Sequence, residues 1–344
     1  MEPAERKLKI LEAIVEAFIH TGEPVGSKTL CDVLEFSVSS ATIRNDMAEL
    51  ASLGLLEQPH TSSGRVPTTL GYRVYVDRLM KPIPLTKQER DFMEERLYLS
   101  ADAPEHLLQE AAELLAKLTG LAAIATSPPG DQALIRHIRI VQTGRQTAMV
   151  VLIASTGTVK TRLFRCDYVL TRSLIDMFET ELNKRLVNLP VTGLTPAFMQ
   201  STAISMGEMS MLMPNVLLAV QSAAKDAAST SVAVKGHINL LVTQRMNLEN
   251  MQALKELFSQ SSRLADFLLS EEHSKTDVVI GGEAKYANLR DISVMISRYR
   301  ISESCSGAIA VIGPVRMNYA KNISRLEYVS QTVGTLLSEF PGGT

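Results

Sequence analysis

The sequence predicts a multidomain α+β protein, and three observations carry the prediction. About 70 residues at the start read as three helices followed by a hairpin. Lys81-Pro82-Ile83-Pro84 then breaks the chain, because neither proline can continue a helix. Beyond the break, strand-type runs joined by short turns lie on either side of about 60 residues of helical pattern.

Taken in order, Leu8, Leu11, Ile14, Val15, Phe18 and Ile19 form one apolar stripe over residues 5–20, and Thr21-Gly22-Glu23-Pro24 closes that helix. A short helix over Ser27–Leu34 follows, with Ser27 as its N-cap and Val25, Leu30, Val33 and Leu34 turned inward. "EFSVS" leads into "SSATIRNDMAEL", a helix that stops at Leu53-Gly54, where the glycine suits the left-handed position past a helix end. "LLEQPHTSSGRVPT" has the composition of a hairpin, two short apolar runs around a tip of Thr, Ser and Gly. Residues 70–80 give a further helix.

After the prolines, Thr86-Lys87-Gln88-Glu89 fits a capping box, and a helix over Pro104–Thr119 stops at Gly120. Runs at Leu121–Ser127, Ala133–Gln142, Thr147–Ala154 and Val159–Arg165, separated by "SPPGD", "TGR" and "STG", predict one antiparallel sheet. Helices are expected at Ser173–Val187, Pro196–Ser205 and Met213–Ala228, then sheet character at Val232–Val242 and a helix at Leu248–Leu269. Strands at Asp277–Gly281, Ile292–Tyr299 and Ala308–Gly313 and a helix at Tyr319–Leu337 complete the chain. A sheet domain interrupted by a mainly helical insert accounts for this order.

With 344 residues, 45% hydrophobic and 21% charged, the chain has the composition of a globular protein with two or three cores. Its formal net charge of −2 provides no global pull toward nucleic acid or anionic membrane. The apolar runs Ala148–Ala154 and Gly307–Gly313 fall far short of the ~20 residues a spanning helix needs, so no membrane partner is expected. "MEPAERKLKI" is too charged to resemble a signal peptide. Cys31, Cys166 and Cys305 lack CxxC spacing and read as free, buried thiols in a reducing cytoplasm.

The segment "SSATIRNDMAEL" is the one that suggests a function. Stepping 100° per residue from Ile43 puts Met47 and Leu50 within about 40° of it, a narrow core seam. Ala41, Arg44, Asn45 and Ala48 gather on the opposite side, flanked by Thr42 and Glu49. Small side chains there permit close approach. Arginine can bond guanine in pairs, asparagine adenine, and alanine or threonine methyls can meet thymine. Helix, tight connector, helix and hairpin together match a winged helix-turn-helix, whose third helix enters the major groove. Ala41, Thr42, Arg44 and Asn45 are then the expected base readers. Ser39, Ser40 and the wing tip His60-Thr61-Ser62-Ser63-Gly64-Arg65 would contact backbone or minor groove, with Lys28 as a phosphate contact. Against this, residues 1–80 hold eight basic and eleven acidic side chains, the reverse of the usual basic footprint. A dimer engaging two half-sites would compensate.

"TGEPVGSKTL", "SSATIRNDMAELASLGLLEQPHTSSGRVPT" and "GYRVYVDRLM" closely resemble the N-terminal domain of the heat-inducible transcription repressor HrcA family. The likeness continues in "INLL", "VVIGGE" and "GAIAVIGPVRMNYAKNISRLEYVSQTVG", and is weakest over 166–230. It implies a winged-helix domain (1–81), a linker with connecting helices (82–120), a GAF-like domain (121–165 and 232–344) and an inserted dimerisation domain (166–231). It also implies a homodimer that binds the inverted-repeat CIRCE operator on double-stranded DNA and represses chaperone operons, with the chaperonin maintaining its active form. In "RMNY", Asn318 stands where the family more often has aspartate.

Met206, Met209, Met211 and Met213 crowd one part of the insert and suggest an adaptable self-association surface more than a copper site. The six histidines show no HxH or HxxxH pairing, and Gly281-Gly282 reads as a sheet turn and not a phosphate loop, so no metal or cofactor is expected. No Ser-His-Asp arrangement can be argued, so no enzymatic activity is expected. The rival reading is a metabolite-sensing regulator with its ligand in the GAF-like domain.

Overall fold

The computed structural model describes residues 2–34, 36, 38–59, 64–239, 252, 255–256, 258–270, 276–283, 291–302 and 305–340. The expected wing-tip contacts His60, Thr61, Ser62 and Ser63, and residues 248–251, 253, 254 and 257 of the helix expected at 248–269, fall outside these residues.

The N-terminal unit holds α1 (Pro3–Thr21), α2 (Ser27–Val33), α3 (Ser40–Ser52), the hairpin strands β1 (Leu56–Glu57) and β2 (Val66–Pro67), and α4 (Thr69–Val74), which continues into a π-turn at Tyr75–Leu79. Gly22 and Gly54 end α1 and α3 at φ of 70° and 73°, conformations that cost a residue with a β-carbon. Residues Val25 and Arg65 exchange backbone hydrogen bonds of 2.9 Å, so a single bridge ties the α1–α2 connector to the two-stranded wing. Gly64 is required beside it, because a β-carbon there would meet the Val25 carbonyl. Three local expectations need correction. Gly26, not Ser27, is the N-cap of α2; Val33 is exposed; and Cys31 is exposed, since the two turns of α2 bury only Leu30.

Next come α5 (Lys87–Leu99), opened by the full Thr86–Glu89 capping box, α6 (Pro104–Thr119) and β3 (Ala122–Thr126). β4 (Ile135–Gln142), β5 (Thr147–Ala154) and β6 (Val159–Arg165) precede α7 (Arg172–Leu186), α8 (Pro196–Ser205) and α9 (Pro214–Ala227). β7 (Val232–Lys235), α10 (Ser261–Leu269), β8 (Thr276–Ile280), β9 (Ile292–Arg300), β10 (Ser306–Pro314) and α11 (Tyr319–Ser338) finish the chain. Asn318 caps α11 by accepting from the Lys321 N–H at 3.1 Å, a role aspartate fills equally well.

The sheets differ from expectation. β3 joins a five-stranded antiparallel sheet of order β7-β3-β10-β9-β8, whereas β4–β6 form a separate three-stranded meander. Its inner face, including Ala148, Val150 and Leu152, packs on Phe178, Leu182, Val216 and Val220 of α7 and α9. Residues 135–165 therefore pack with the helices of the insert and not with β3. All five residues of β3 are buried, as in a central strand covered on both faces. A single apolar cluster runs from Ile10, Ile14, Ile43 and Leu50 through Tyr72 to Tyr319 and Leu326, so the N-terminal unit and the large sheet share one core.

Candidate nucleic-acid interface

α3 is held at three places. Ser39 is its N-cap, its Oγ accepting from the Thr42 N–H at 3.1 Å and lying 2.9 Å from Thr42 Oγ1. Ser40 Oγ lies 3.0 Å from Ser27 Oγ, tying the start of α3 to the first turn of α2. Ile43, Met47 and Leu50 are buried, and their apolar side chains seat the helix against α1.

The fourth buried residue of α3 is Asp46, only 4% exposed, which the seam of Ile43, Met47 and Leu50 leaves out. Arg6 of α1 donates to both of its oxygens, Nε to Oδ2 at 2.7 Å and Nη2 to Oδ1 at 3.1 Å, and Lys7 pairs with Glu49 one turn further on. The hydrogen bond to Asp46 raises the Arg6 pKa further above its ordinary value. Both carboxylates of α3 are thus matched by cations on α1, Asp46 beside the buried seam and Glu49 at the flank of the outer face. Sequence reasoning missed Asp46, although it lies about 60° from Ile43 on the helical wheel, at the edge of the seam.

What α3 leaves outward is the set expected. Ala41, Arg44, Asn45 and Ala48 are exposed and Thr42 is half-buried beside them. Lys28 is exposed on α2. Arg65 sits at the base of the wing, its guanidinium donating to Gln58 Oε1, with Gly64 beside it. Lys28, Ser39, Ser40, Ala41, Thr42, Arg44, Asn45, Gly64 and Arg65 thus all belong to the helix-turn-helix and its wing. Among the described residues no group of His, Cys, Asp or Glu is placed to hold a metal, and no helix is long and apolar enough to cross a membrane.

A helix with buried seam and bare outer face, preceded by a short bracing helix and followed by a two-stranded wing, defines the class: a winged-helix DNA-binding protein with an α+β body. Residues 4–78 match the family described as the winged helix-turn-helix transcription repressor, HrcA DNA-binding, and residues 105–323 match the HrcA protein C terminal domain. Heat-inducible transcription repressors HrcA are similar along their whole length. That of Lactobacillus delbrueckii subsp. bulgaricus is 35% identical, with 98% of each chain covered. That of Shouchella clausii is 32% identical, again with 98% of each covered. The fold is that of a crystal structure of a hypothetical protein, at a TM-score of 0.67 and 24% identity over 98% of this chain and 99% of that one. The chain belongs to the HrcA family of heat-inducible transcription repressors and binds DNA through its winged helix.

Met206 and Met213 do not form the self-association surface expected of them. They are 9% and 0% exposed, Met209 packs against the same core, and only Met211 projects into solvent. Their flexible thioethers fill the irregular space between the short helices of the insert.

Proposed function

We infer that the protein represses chaperone operons as a homodimer on the inverted-repeat CIRCE operator in the cytoplasm, without enzymatic activity, and that the chaperonin maintains its active form. The observation that carries the DNA-reading part is the outer face of α3. Ala41 and Ala48 let the helix approach the groove floor, and Arg44 and Asn45 stand one residue apart, at the reach needed for guanine and adenine edges. Lys28, Ser39, Ser40 and Arg65 supply the phosphate contacts that fix register, and Gly64 lets the wing fold close. Dimerisation through the insert together with the β4–β6 meander packed on it is supported by the outer face of that sheet, where Val141, Val159 and Leu163 are 46%, 45% and 71% exposed. Such a cluster of solvent-facing aliphatic residues on one sheet face marks an association surface.

The test is a gel-shift titration of the inverted repeat at fixed salt, with and without chaperonin, before and after heating. Retarded complex that is lost on heating and restored by chaperonin is the expected result; heat loss indifferent to chaperonin removes that partner from the reading. The metabolite-sensing alternative rests on a cavity of 660 Å³ between the end of β9, the start of β10 and α11, lined by Tyr299, Ser306, Ser330 and Thr335. A ligand there would raise the melting temperature, which a thermal-shift screen reads directly.

A further inference from the structure

The repressor must present two recognition helices at a spacing set by its body, yet among the described residues no strand is shared between the N-terminal unit and the large sheet. The contact between them has two components of different character. One is apolar: the Tyr72 and Tyr319 rings lie 6.0 Å apart at 54°, within the shared core. Burial of apolar surface is non-directional, so this component contributes adhesion without a hydrogen-bonded register.

The other is a fork. Arg73, on α4, donates from Nε to Glu283 Oε1 at 2.9 Å and from Nη2 to Glu283 Oε2, while Nη2 also reaches the Val278 carbonyl of β8. Its remaining nitrogen, Nη1, donates to Asp77 Oδ1 at 3.1 Å. All three guanidinium nitrogens are therefore committed. Glu283 is itself fixed, because Oε2 accepts the Ile280 N–H at the end of β8 at 2.8 Å. A planar guanidinium on a planar carboxylate permits one relative orientation, which an ammonium on a flexible stem does not impose.

The path from this fork to the recognition helix is short and rigid. Thr68, the N-cap of α4, donates through Oγ1 to the Gly54 carbonyl at 2.6 Å and through its N–H to the Leu55 carbonyl at 3.1 Å. Both carbonyls lie just past the end of α3. The end of β8 is thus linked through Glu283, Arg73 and Thr68 to the C-terminal end of α3.

We propose that Arg73 is a positioning residue: its fork to Glu283 sets the orientation of the winged helix on the body and so the half-site spacing that the dimer accepts. It touches no DNA. The proposal rests on the reading of a dimer on an inverted repeat, where spacing is a geometric consequence of the protein's own two-fold.

The experiment is a gel-shift series on the full-length protein, with inverted repeats whose spacer is lengthened or shortened base pair by base pair and a single half-site as reference. Arg73→Lys keeps the charge and loses the fork; Glu283→Gln keeps the shape and weakens it, and serves should the first variant fold poorly by thermal melting. At the best spacer both variants bind about tenfold more weakly, as one of two linked contacts is misplaced, and their spacer profile is flatter than the parent's. Single half-site affinity stays unchanged. A variant profile that matches the parent's overturns the proposal, as does an equal loss on the single half-site. A parent protein that shows no preference for two half-sites over one would instead remove the dimer reading, and the proposal with it.

Discussion

Arg44 projects from the middle of the exposed face of α3 with neither buried contact nor ion partner drawn from α1, whereas Arg6 and Lys7 are matched to Asp46 and Glu49. Substituting Arg44→Ala should therefore leave the fold intact and cost about 1–3 kcal/mol of operator affinity, concentrated at one base pair. Titration of operators altered singly at each position checks this; a uniform loss across sequences would make Arg44 a phosphate contact instead. Gly71 is a structural residue with an opposite signature. It is buried, and a β-carbon there would run into the Leu55 carbonyl, backbone that cannot easily yield. Gly71→Ala should destabilise the protein by about 1–3 kcal/mol through overpacking, read by denaturant unfolding. The outward face of α3 was legible from sequence because helical phase is local: four exposed positions follow from one assignment of Ile43 as buried. The Arg6–Asp46 pair was not, because it joins residues 40 positions apart and nothing in either neighbourhood names the other.

Helices of the insert were legible for the same reason as α3. Thr195 and Pro196 mark the start of α8 by capping and by a fixed φ, and the helix follows as expected. Sheet membership was not legible. Short turns specify that β4, β5 and β6 pair with one another, but not which sheet the preceding strand enters, and β3 enters one completed by β10, far along the chain. The meander also shows what its edges do. Along β4, Asn183 donates to the Ile138 carbonyl at 2.7 Å and accepts its N–H at 2.9 Å, while Glu179 accepts the Ile140 N–H at 2.6 Å. Asn215 of α9 donates to the Arg165 carbonyl at 2.7 Å at the other edge. Side chains thus engage β4 along its edge and the last residue of β6, while one face lies under α7 and α9 and the other faces solvent. On that face the register aligns Val141 with Met149 and Leu163 across three strands. Leu163→Asp should convert dimer to monomer by light scattering, whereas Met211→Asp, whose side chain is 83% exposed on a separate turn, should leave the mass unchanged.

At the scale of the whole molecule, Glu89 joins the connecting helices to the last helix, and its titration reports on the joint. Its carboxylate accepts from Arg325 Nη2 at 2.9 Å and closes the capping box of α5 by accepting the Thr86 N–H at 3.2 Å. Lys321 adds a second positive neighbour at 3.6 Å. The Arg325 hydrogen bond, followed by that from the Thr86 backbone, lowers the Glu89 pKa from 4.5 to about 2. A carboxyl whose pKa is depressed by folding stabilises the native state only when ionised in it. Its contribution is therefore complete above pH 4.5, declines as pH falls toward 2, and is absent below that. Glu89→Gln should lower stability at pH 7 by about 1 kcal/mol, a modest figure because the carboxylate is partly solvated. The variant and the parent should converge as pH approaches 2, with the stability curve of Glu89→Gln flatter across the window between. Thermal unfolding followed at half-unit pH steps measures the two curves. A constant offset that persists to pH 2 would assign the role of Glu89 to helix packing and not to its charge.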